Sequence, residues 1–306
     1  MDAVAEYFID EVETLRNRDM EEEEREAVKE KFRRMYETRD VYVLYNRFLA
    51  ASGFSMLPKV PIEKRKLPYE DVYPVLYFKY RLLSRQAKEN IRHLVVDEMQ
   101  DYSRLQYKIL QMLFPCRMTI LGDRAQTMED RIQDVTTFLP EIFGRDIRTI
   151  YMNKSYRNTV EIASYANSLA GIEGMDLFER HGKPVERQEA VSLKEAAEKI
   201  AKEVKAGETY ETEAVILPNE ESASLFSSLL SESLGEKVSY LHRDSRKFEK
   251  GLTVTTFYLA KGLEFDRVFS VFPKEEEGAL LRQGRYIAAT RALHELHVYE
   301  IRDLQQ

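Results

Sequence analysis

Two adjacent acids, Asp97 and Glu98, follow directly after the apolar run 94–96. A Leu-Val-Val run between polar neighbours is typical of a central parallel strand that is buried on both faces. Carboxylates just past such a strand lie where open α/β sheets bind ligands. In a nucleotide hydrolase, Asp97 would hold Mg²⁺ and Glu98 would orient or deprotonate the attacking water. The alternative interpretation is that these acids are solvated or cap the next helix.

The pattern around the acids predicts an α/β fold, because strands alternate with amphipathic helices from residue 91 onward. Residues 1–57 have helical spacing and high charge, and the prolines at 58, 61 and 68 predict an irregular connector before a helix at about 69–85. The expected strands are 91–97, 117–121, 214–217, 252–257, 267–272 and 296–301, and the expected later helices are 103–114, 158–170, 220–234 and 279–292.

Composition excludes several classes of protein. The 306 residues suffice for two domains, and 43% hydrophobic with 32% charged residues indicate a globular chain. No apolar stretch reaches the length of a membrane span, and the first residues lack the features of a signal peptide, so we expect a cytoplasmic protein. A net charge of −7 argues against a surface coated with basic residues for gripping duplex DNA, whereas a local basic track or a protein partner stays open.

The cysteine and histidine content gives little sign of metal chemistry. The single cysteine, Cys116, cannot form an internal disulfide. The pair His294 and His297 lies where a predicted strand begins, and in a strand a spacing of three places two side chains on opposite faces. We therefore expect this pair to be a poor metal site.

Five motif blocks occur in a fixed order along the chain. They are Val95-Val-Asp-Glu-Met-Gln-Asp101, Leu121-Gly-Asp-Arg-Ala-Gln126, Asn153-Lys-Ser-Tyr-Arg-Asn158, Tyr258-Leu-Ala-Lys-Gly-Leu-Glu-Phe-Asp266 and Tyr286-Ile-Ala-Ala-Thr-Arg-Ala292. Together they resemble the superfamily-one helicases of the UvrD and Rep type. The resemblance implies two RecA-like domains that use ATP and Mg²⁺, and it carries much more weight than any single block.

The resemblance also implies roles for individual residues. Asp97 would bind Mg²⁺, Glu98 would activate water, and Gln126 would sense the γ-phosphate. The other residues assigned to the nucleotide are Arg157 and Arg291 on the phosphates, Tyr156 on the adenine, Glu264 on the sugar, and Lys261 and Gly262 in the block around Glu264. Fixed positive charge is what a phosphoryl-transfer site needs. Taken singly, however, each arginine could be an ordinary surface residue, Lys261 could be structural and Tyr156 could serve packing.

A narrower resemblance concerns Asp71-Val-Tyr-Pro-Val-Leu-Tyr-Phe-Lys-Tyr80 and the third and fourth blocks. These look like the HelD-type branch, related to DNA helicase IV, whose members are ATP-driven factors that release and recycle stalled RNA polymerase. The resemblance implies single-stranded DNA or RNA polymerase as the partner.

Two features depart from the family pattern. The phosphate-binding loop, Gly, four residues, then Gly-Lys-Ser/Thr, is absent from the sequence: the only Gly-Lys is Gly182-Lys183, Pro184 follows it, and Leu177 replaces the first glycine. The chain also has no tryptophan, although UvrD-type helicases stack a DNA base on one. Base stacking is worth roughly 1–3 kcal/mol per base, so this loss weakens the case for strand unwinding.

We therefore expect the chain to be the later portion of a motor whose upstream segment carries the phosphate loop. The expected segments are a helical region and connector at 1–68, a partial first RecA-like domain at 69–150 and a complete second one at 151–306. The alternatives are a non-hydrolysing module that docks on RNA polymerase or single-stranded nucleic acid, and a true DNA helicase of the helicase IV kind.

Overall fold

The structure is a computed structural model that describes residues 2–34, 38–83, 87–123, 126, 135–144, 146–152, 154–207, 210–245, 250–274 and 278–303. It divides into two compact units. Unit 1 contains Met1–Leu121 and Val135–Ile147, and unit 2 contains Gly122–Asp134 and Arg148–Gln306. The three segments expected from the sequence stay predictions.

Unit 1 begins with helices and ends with a small parallel sheet. Its elements are α1 Asp2–Arg16, α2 Glu22–Arg34, α3 Val41–Ala51, α4 Tyr69–Leu82, β1 His93–Val96, α5 Arg104–Leu113, β2 Arg117–Ile120 and α6 Val135–Phe143, with 3₁₀ turns at Ile62–Lys64 and Met99–Asp101. The helical N-terminal segment and the irregular, proline-rich connector predicted from the sequence are thus confirmed.

The N-terminal helices are joined by charge as well as by apolar packing. Arg25 on α2 forms ion pairs with Glu6 and Glu13 on α1, at 2.8 and 2.6 Å. The rings of Phe8 and Phe32 lie 5.4 Å apart between the same helices. The acidic residues at the start of α2 also suit the positive end of the helix dipole.

The strand that carries the acid pair is exposed on one face. β1 pairs in parallel with β2, with Val96 opposite Ile120. Val96 is 5% exposed and packs in a core with Tyr107 and Phe138, whereas Val95 is 59% exposed. The prediction that this strand is buried on both faces is therefore wrong: neighbouring side chains point to opposite faces, and only the face of Val96 lies against a core.

Unit 2 is built on a six-stranded parallel sheet. Its elements are β3 Lys154–Ser155, α7 Val160–Ala170, β4 Asp176–Leu177, β5 Glu186–Ser192, α8 Leu193–Ala206, β6 Thr212–Leu217, α9 Glu220–Leu234, β7 Ser239–Tyr240, β8 Gly251–Thr256, α10 Phe257–Ala260, β9 Phe265–Pro273, α11 Ala279–Thr290 and β10 Ala292–Asp303. The strand order of the six-stranded sheet is β5-β10-β9-β6-β8-β7. The predicted α/β class, with helices flanking parallel sheets, is confirmed.

Alternating residues of the central strands build a core on each face of this sheet. Val215 and Leu217 of β6 pack with helices α8 and α9, whereas Ala214 and Ile216 pack with α7 and α11. Every one of these four side chains is fully buried, as expected for a central parallel strand covered on both faces.

The sequence analysis did not place β5 and α8. β5 has the sequence Glu-Arg-Gln-Glu-Ala-Val-Ser, and it lies at an edge of the sheet with only Ala190 buried. An edge strand exposed along most of its length lacks the apolar run by which the central strands were recognised. Among the helices of the described ranges, none is long and apolar enough to cross a membrane.

Candidate functional site

The acid pair lies in a tight turn directly after β1. Glu98 has φ 52° and ψ 50°, the left-handed conformation that side-chain-bearing residues rarely adopt. Its backbone N–H donates to Asp97 Oδ1 at 2.8 Å, and its carboxylate accepts from the amide of Gln100 at 2.5 Å. Strained backbone of this kind costs about 1–3 kcal/mol and is concentrated at functional sites.

Backbone hydrogen bonds hold this turn on the sheet. The N–H of Leu121 donates to the carbonyl of Val96, and the N–H of Met99 donates to the carbonyl of Leu121, both at 2.8 Å. The hydroxyl of the buried Tyr107 donates to the carbonyl of Met99 at 2.9 Å. The turn therefore continues the hydrogen-bond ladder between β1 and β2, and the Tyr107 hydroxyl anchors it to α5.

A capping box explains why α5 begins where it does. The Ser103 side chain accepts from the N–H of Gln106, and the Gln106 side chain accepts from the N–H of Ser103. Asp97 is left exposed and Glu98 partly buried. An exposed carboxylate beside an oriented, partly buried one can hold a hydrated divalent cation and position a water molecule.

In unit 2, Gln126 is the centre of a buried hydrogen-bond cluster. Its side-chain oxygen accepts from Arg291 Nη2 at 3.0 Å, and its amide donates to Asp123 Oδ2 at 2.8 Å. Lys261 Nζ donates to its backbone carbonyl at 3.0 Å. Gln126 is 8% exposed and Arg291 only 2%. The cluster therefore joins residues from the second, fourth and fifth motif blocks.

Two further contacts extend this cluster. The hydroxyl of Tyr286 donates to Asp123 Oδ2 at 3.1 Å, and Arg291 Nη1 donates to the carbonyl of Leu263 at 3.3 Å. Burial, and to a smaller extent the nearby Asp123 carboxylate, raise the pKa of Tyr286 well above its usual value. Tyr286 thus stays a neutral hydrogen-bond donor at physiological pH.

The other predicted phosphate arginine has a different environment. Arg157 Nε lies 2.7 Å from Glu264 Oε1, and the two side chains are 45% and 43% exposed. A surface ion pair of this kind is worth about 0–1 kcal/mol, so it exchanges readily for another partner. The pair joins the arginine predicted to reach the γ-phosphate and the glutamate predicted to contact the sugar.

Tyr156, the predicted adenine-stacking residue, presents an open aromatic face. It is 60% exposed, and its ring lies 5.6 Å from that of Phe178. Lys154 Nζ lies 5.6 Å from the Tyr156 ring centroid. Both interpretations of Tyr156, adenine stacking and packing, therefore stay predictions.

Buried polar contacts connect the third block to the end of α11. Asn158 Nδ2 donates to the carbonyl of Ala292 at 2.6 Å and to that of Thr290 at 3.3 Å. Arg180 donates to the carbonyls of Arg157 and Leu293. These bonds attach the segment bearing Arg157 to the loop bearing Arg291, residues that are far apart in the sequence.

Lys261 and Gly262 lie in the turn between α10 and β9. Gly262 has φ +82°, where any side chain would be strained. The turn directs Lys261 to the carbonyl of Gln126. Lys261 therefore has a hydrogen-bond partner within the protein, and the positive φ explains why residue 262 is glycine.

The Gly182-Lys183 pair takes part in other contacts. The N–H of Gly182 donates to Glu161 Oε2 at 2.8 Å, and Lys183 Nζ lies 3.2 Å from Glu295 Oε1. A Cβ on Gly182 would approach Thr159 Cγ2 to 2.6 Å, so this glycine permits close packing. In the described ranges this pair therefore contacts protein carboxylates.

Among the sequence-predicted residues, the structure brings together Asp97 with Glu98, Gln126 with Arg291 and Lys261, and Arg157 with Glu264. Sequence reasoning gave no role to Gln100, Asp123, Asn158 or Tyr286. Each of these four belongs to one of the quoted blocks, and a polar residue inside such a block was the available signal.

Comparisons with known proteins match the part of the chain that carries the first two motif blocks. Residues 5–128 match the family model of the UvrD/REP helicase N-terminal domain. The chain is 31% identical over 137 residues to the ATP-dependent DNA helicase Rep of Buchnera aphidicola subsp. Baizongia pistaciae, covering 42% of this chain and 18% of that protein. It is 29% identical over 100 residues to DNA helicase II of Haemophilus influenzae, covering 31% and 13%.

The chain thus spans less than a fifth of the length of these relatives. A solved structure described as the C-terminal domain of a possible DNA helicase from Lactobacillus plantarum is similar at 22% identity and TM-score 0.39, over 48% of this chain and 88% of that one. The family model and the two relatives therefore show similarity to UvrD/REP-type helicases over the matched residues.

Proposed function

We propose that this chain is the ATPase-motor portion of a HelD-like, superfamily-one protein that couples ATP binding and hydrolysis to movement on nucleic acid or RNA polymerase. The observation that carries the proposal is the buried bond between Gln126 and Arg291, which are 165 residues apart in sequence. A side-chain amide that contacts a buried arginine suits a γ-phosphate sensor, because loss or gain of phosphate charge would redistribute the arginine's hydrogen bonds.

In the proposed complete motor, Asp97 holds Mg²⁺ and Glu98 activates water. Arg157 and Arg291 supply positive charge to the phosphates, Tyr156 stacks on the adenine and Glu264 contacts the sugar. The geometry that supports these roles is the exposure of Asp97, the strained and hydrogen-bonded Glu98, and the open face of Tyr156. Lys261 and Gly262 support the cluster around Gln126.

An upstream segment with a phosphate-binding loop is part of the proposal. Its support is the lack of that loop in the sequence and the use of Gly182 and Lys183 in contacts with protein carboxylates. The exposed side of β1, where Val95 is 59% exposed, offers a face on which further structure could pack. From the resemblance to superfamily-one helicases, we also propose a cytoplasmic location.

The test is Mg-ATP binding and turnover by residues 1–306, alone and with a separate polypeptide carrying the phosphate loop. We expect negligible turnover alone and restored turnover with the added piece. Turnover by the chain alone would contradict the proposed site, because something else would then bind the phosphates.

A second candidate is a non-hydrolysing module that docks on RNA polymerase or single-stranded nucleic acid. The lack of a phosphate loop favours it. It predicts no turnover under either condition but retained binding to core RNA polymerase or to single-stranded DNA across a salt series. Loss of DNA binding with added salt would indicate phosphate contacts, whereas salt-resistant capture of polymerase would indicate a protein interface.

A further inference from the structure

Three elements of unit 2 bring titratable side chains together away from the motif blocks. His297 on β10 lies directly opposite Glu186 on β5 in the parallel register. Glu203 comes from α8, which packs on both strands. One ligand atom from each of these residues lies within 4.8 Å of the others.

His297 is buried among carboxylates. Its side chain is 6% exposed, and Nδ1 lies 3.0 Å from Glu203 Oε2 and 3.3 Å from Glu186 Oε2. Nε2 lies 3.1 Å from Glu295 Oε1. Both ring nitrogens are shielded from solvent, yet neither makes a hydrogen bond of acceptable geometry. A buried polar atom of this kind calls for a further partner.

One oxygen of Glu203 is already satisfied. Oε1 accepts from Gln188 Nε2 at 2.7 Å and from the hydroxyl of Tyr299. The other oxygen, Oε2, faces His297 and is buried without a hydrogen bond. The two donors therefore orient the carboxylate so that its remaining oxygen lies beside the imidazole nitrogen.

On the opposite side of the imidazole ring a carboxylate lies close to the second nitrogen, although the two atoms do not form a well-aligned hydrogen bond. Metal-bound histidines present their second nitrogen to a carboxylate, which fixes the tautomer and the ring orientation. Here Glu295 lies beside Nε2 and also accepts from Lys183 at 3.2 Å. A proton on Nε2 leaves the lone pair of Nδ1 facing Glu203 and Glu186.

We propose that Glu186, Glu203 and His297 form a binding site for a divalent transition-metal cation of the Zn²⁺ type. Ligands about 2.0–2.2 Å from one ion lie roughly 3–3.5 Å from each other, which matches the two nitrogen–oxygen distances. An imidazole with two carboxylates suits Zn²⁺ better than Mg²⁺. The bound cation would link the edge strand β5 to β10 and α8.

Access to this site is through Glu186. Its side chain is 56% exposed, whereas that of His297 is 6% exposed. An ion can therefore enter from the edge of the sheet, and Glu186 can adjust its rotamer to complete the site. The proposal does not depend on ATP binding, and the ligands belong to elements outside the five blocks.

The test is calorimetric titration of Zn²⁺ into residues 1–306 after treatment with a chelator, with thermal unfolding in parallel. We expect one site and a Tm that rises by several degrees with zinc, because a ligand that binds only the folded state stabilises it. Mg²⁺ in place of Zn²⁺ should produce no such rise.

Two ligand variants and one control locate the site. Glu186→Gln should weaken zinc binding by about tenfold or more while leaving the metal-free Tm unchanged, because Glu186 is exposed. His297→Gln should abolish the zinc-induced rise in Tm. His181→Gln alters another histidine paired with a glutamate, at 3.0 Å from Glu161, and should leave zinc affinity unchanged.

The result that would overturn the proposal is equal zinc affinity in the wild type and Glu186→Gln, or no zinc binding by the folded wild type at micromolar zinc. Either outcome would show that Glu186, Glu203 and His297 do not form a zinc site. If His297→Gln fails to fold, the exposed Glu186→Gln variant still decides the question.

Discussion

The guanidinium of Arg291 donates to the side-chain oxygen of Gln126 at 3.0 Å, in a part of unit 2 where both side chains are almost fully buried. The same glutamine donates to Asp123, and Tyr286 donates to that carboxylate as well. A change in what Arg291 contacts would therefore reach Asp123 and Tyr286 through a continuous chain of hydrogen bonds.

Gln126→Ala should lower the free energy of unfolding of unit 2 by about 1–3 kcal/mol, because it removes a buried acceptor of Arg291 and a donor to Asp123. Urea unfolding followed by circular dichroism would measure the change. Gln126→Glu keeps an acceptor for Arg291 but places a second carboxylate beside Asp123, so it should recover only part of the loss. A wild-type urea midpoint for the alanine variant would refute the importance of this bond.

Glu98→Gln should reduce ATP turnover by about 10²–10⁴-fold in the chain supplemented with the phosphate loop, because an amide cannot accept the proton of water. ATP binding should be preserved, and nucleotide titration beside the turnover assay would show both. Glu89→Gln, an exposed acid before β1, is the matched control and should retain turnover. Undiminished turnover by Glu98→Gln would remove Glu98 from the proposed role.

Arg157→Ala should reduce turnover in the same supplemented system by about 10³–10⁵-fold if Arg157 acts on the transferring phosphate. Its effect on the free energy of unfolding should be within about 1 kcal/mol, because its pair with Glu264 is exposed. Arg291→Ala should instead lower both turnover and stability, because Arg291 is buried. Equal stability losses in the two variants would contradict this contrast.

Gly262→Ala should destabilise unit 2 by about 1–2 kcal/mol, because φ +82° is unfavourable for alanine although no atom obstructs its Cβ. Gly278→Ala is a matched control: its Cβ also meets open space, but φ is −86°. The control should stay within about 0.5 kcal/mol of the wild type in urea unfolding. Similar losses in both variants would show that the left-handed conformation of Gly262 is not the cause.

At low pH, protonation of Glu161 should lower the free energy of unfolding of unit 2. The hydrogen bond from His181, followed by the bond from the N–H of Gly182, lowers the pKa of Glu161 from 4.5 to about 2. A carboxyl whose pKa is lower in the folded state stabilises the protein fully above the unfolded value, and this stability is lost as the pH falls from about 4.5 to about 2.

Glu161→Gln should therefore flatten the decline of the urea midpoint as the pH falls from about 4.5 to about 2, the window set by that pKa shift. The exposed Glu198→Gln serves as the comparison and should keep the slope of the wild type. An unchanged slope in Glu161→Gln would show that other carboxyl groups dominate the acid response.

The sequence by itself determined the α/β class and most central elements. Short apolar runs bounded by polar residues predicted the strands at Leu94-Val-Val96 and Ala214-Val-Ile-Leu217, and the structure contains both. The motif blocks, through their resemblance to superfamily-one helicases, also predicted that Asp97, Glu98, Gln126 and Arg291 serve one nucleotide site, and this stays a prediction. That prediction used only the residue types and their order along the chain, so it required no three-dimensional structure.

Tertiary structure alone decided which side chains meet and which strand faces are covered. Val95 and Val96 are identical in type, yet only Val96 lies against a core, because burial depends on what packs from elsewhere in the chain. Glu186, Glu203 and His297 are separated by 17 or more residues in sequence, and only the register of β5 with β10 and the packing of α8 bring them together. Local patterns fix the elements, whereas long-range contacts fix the sites.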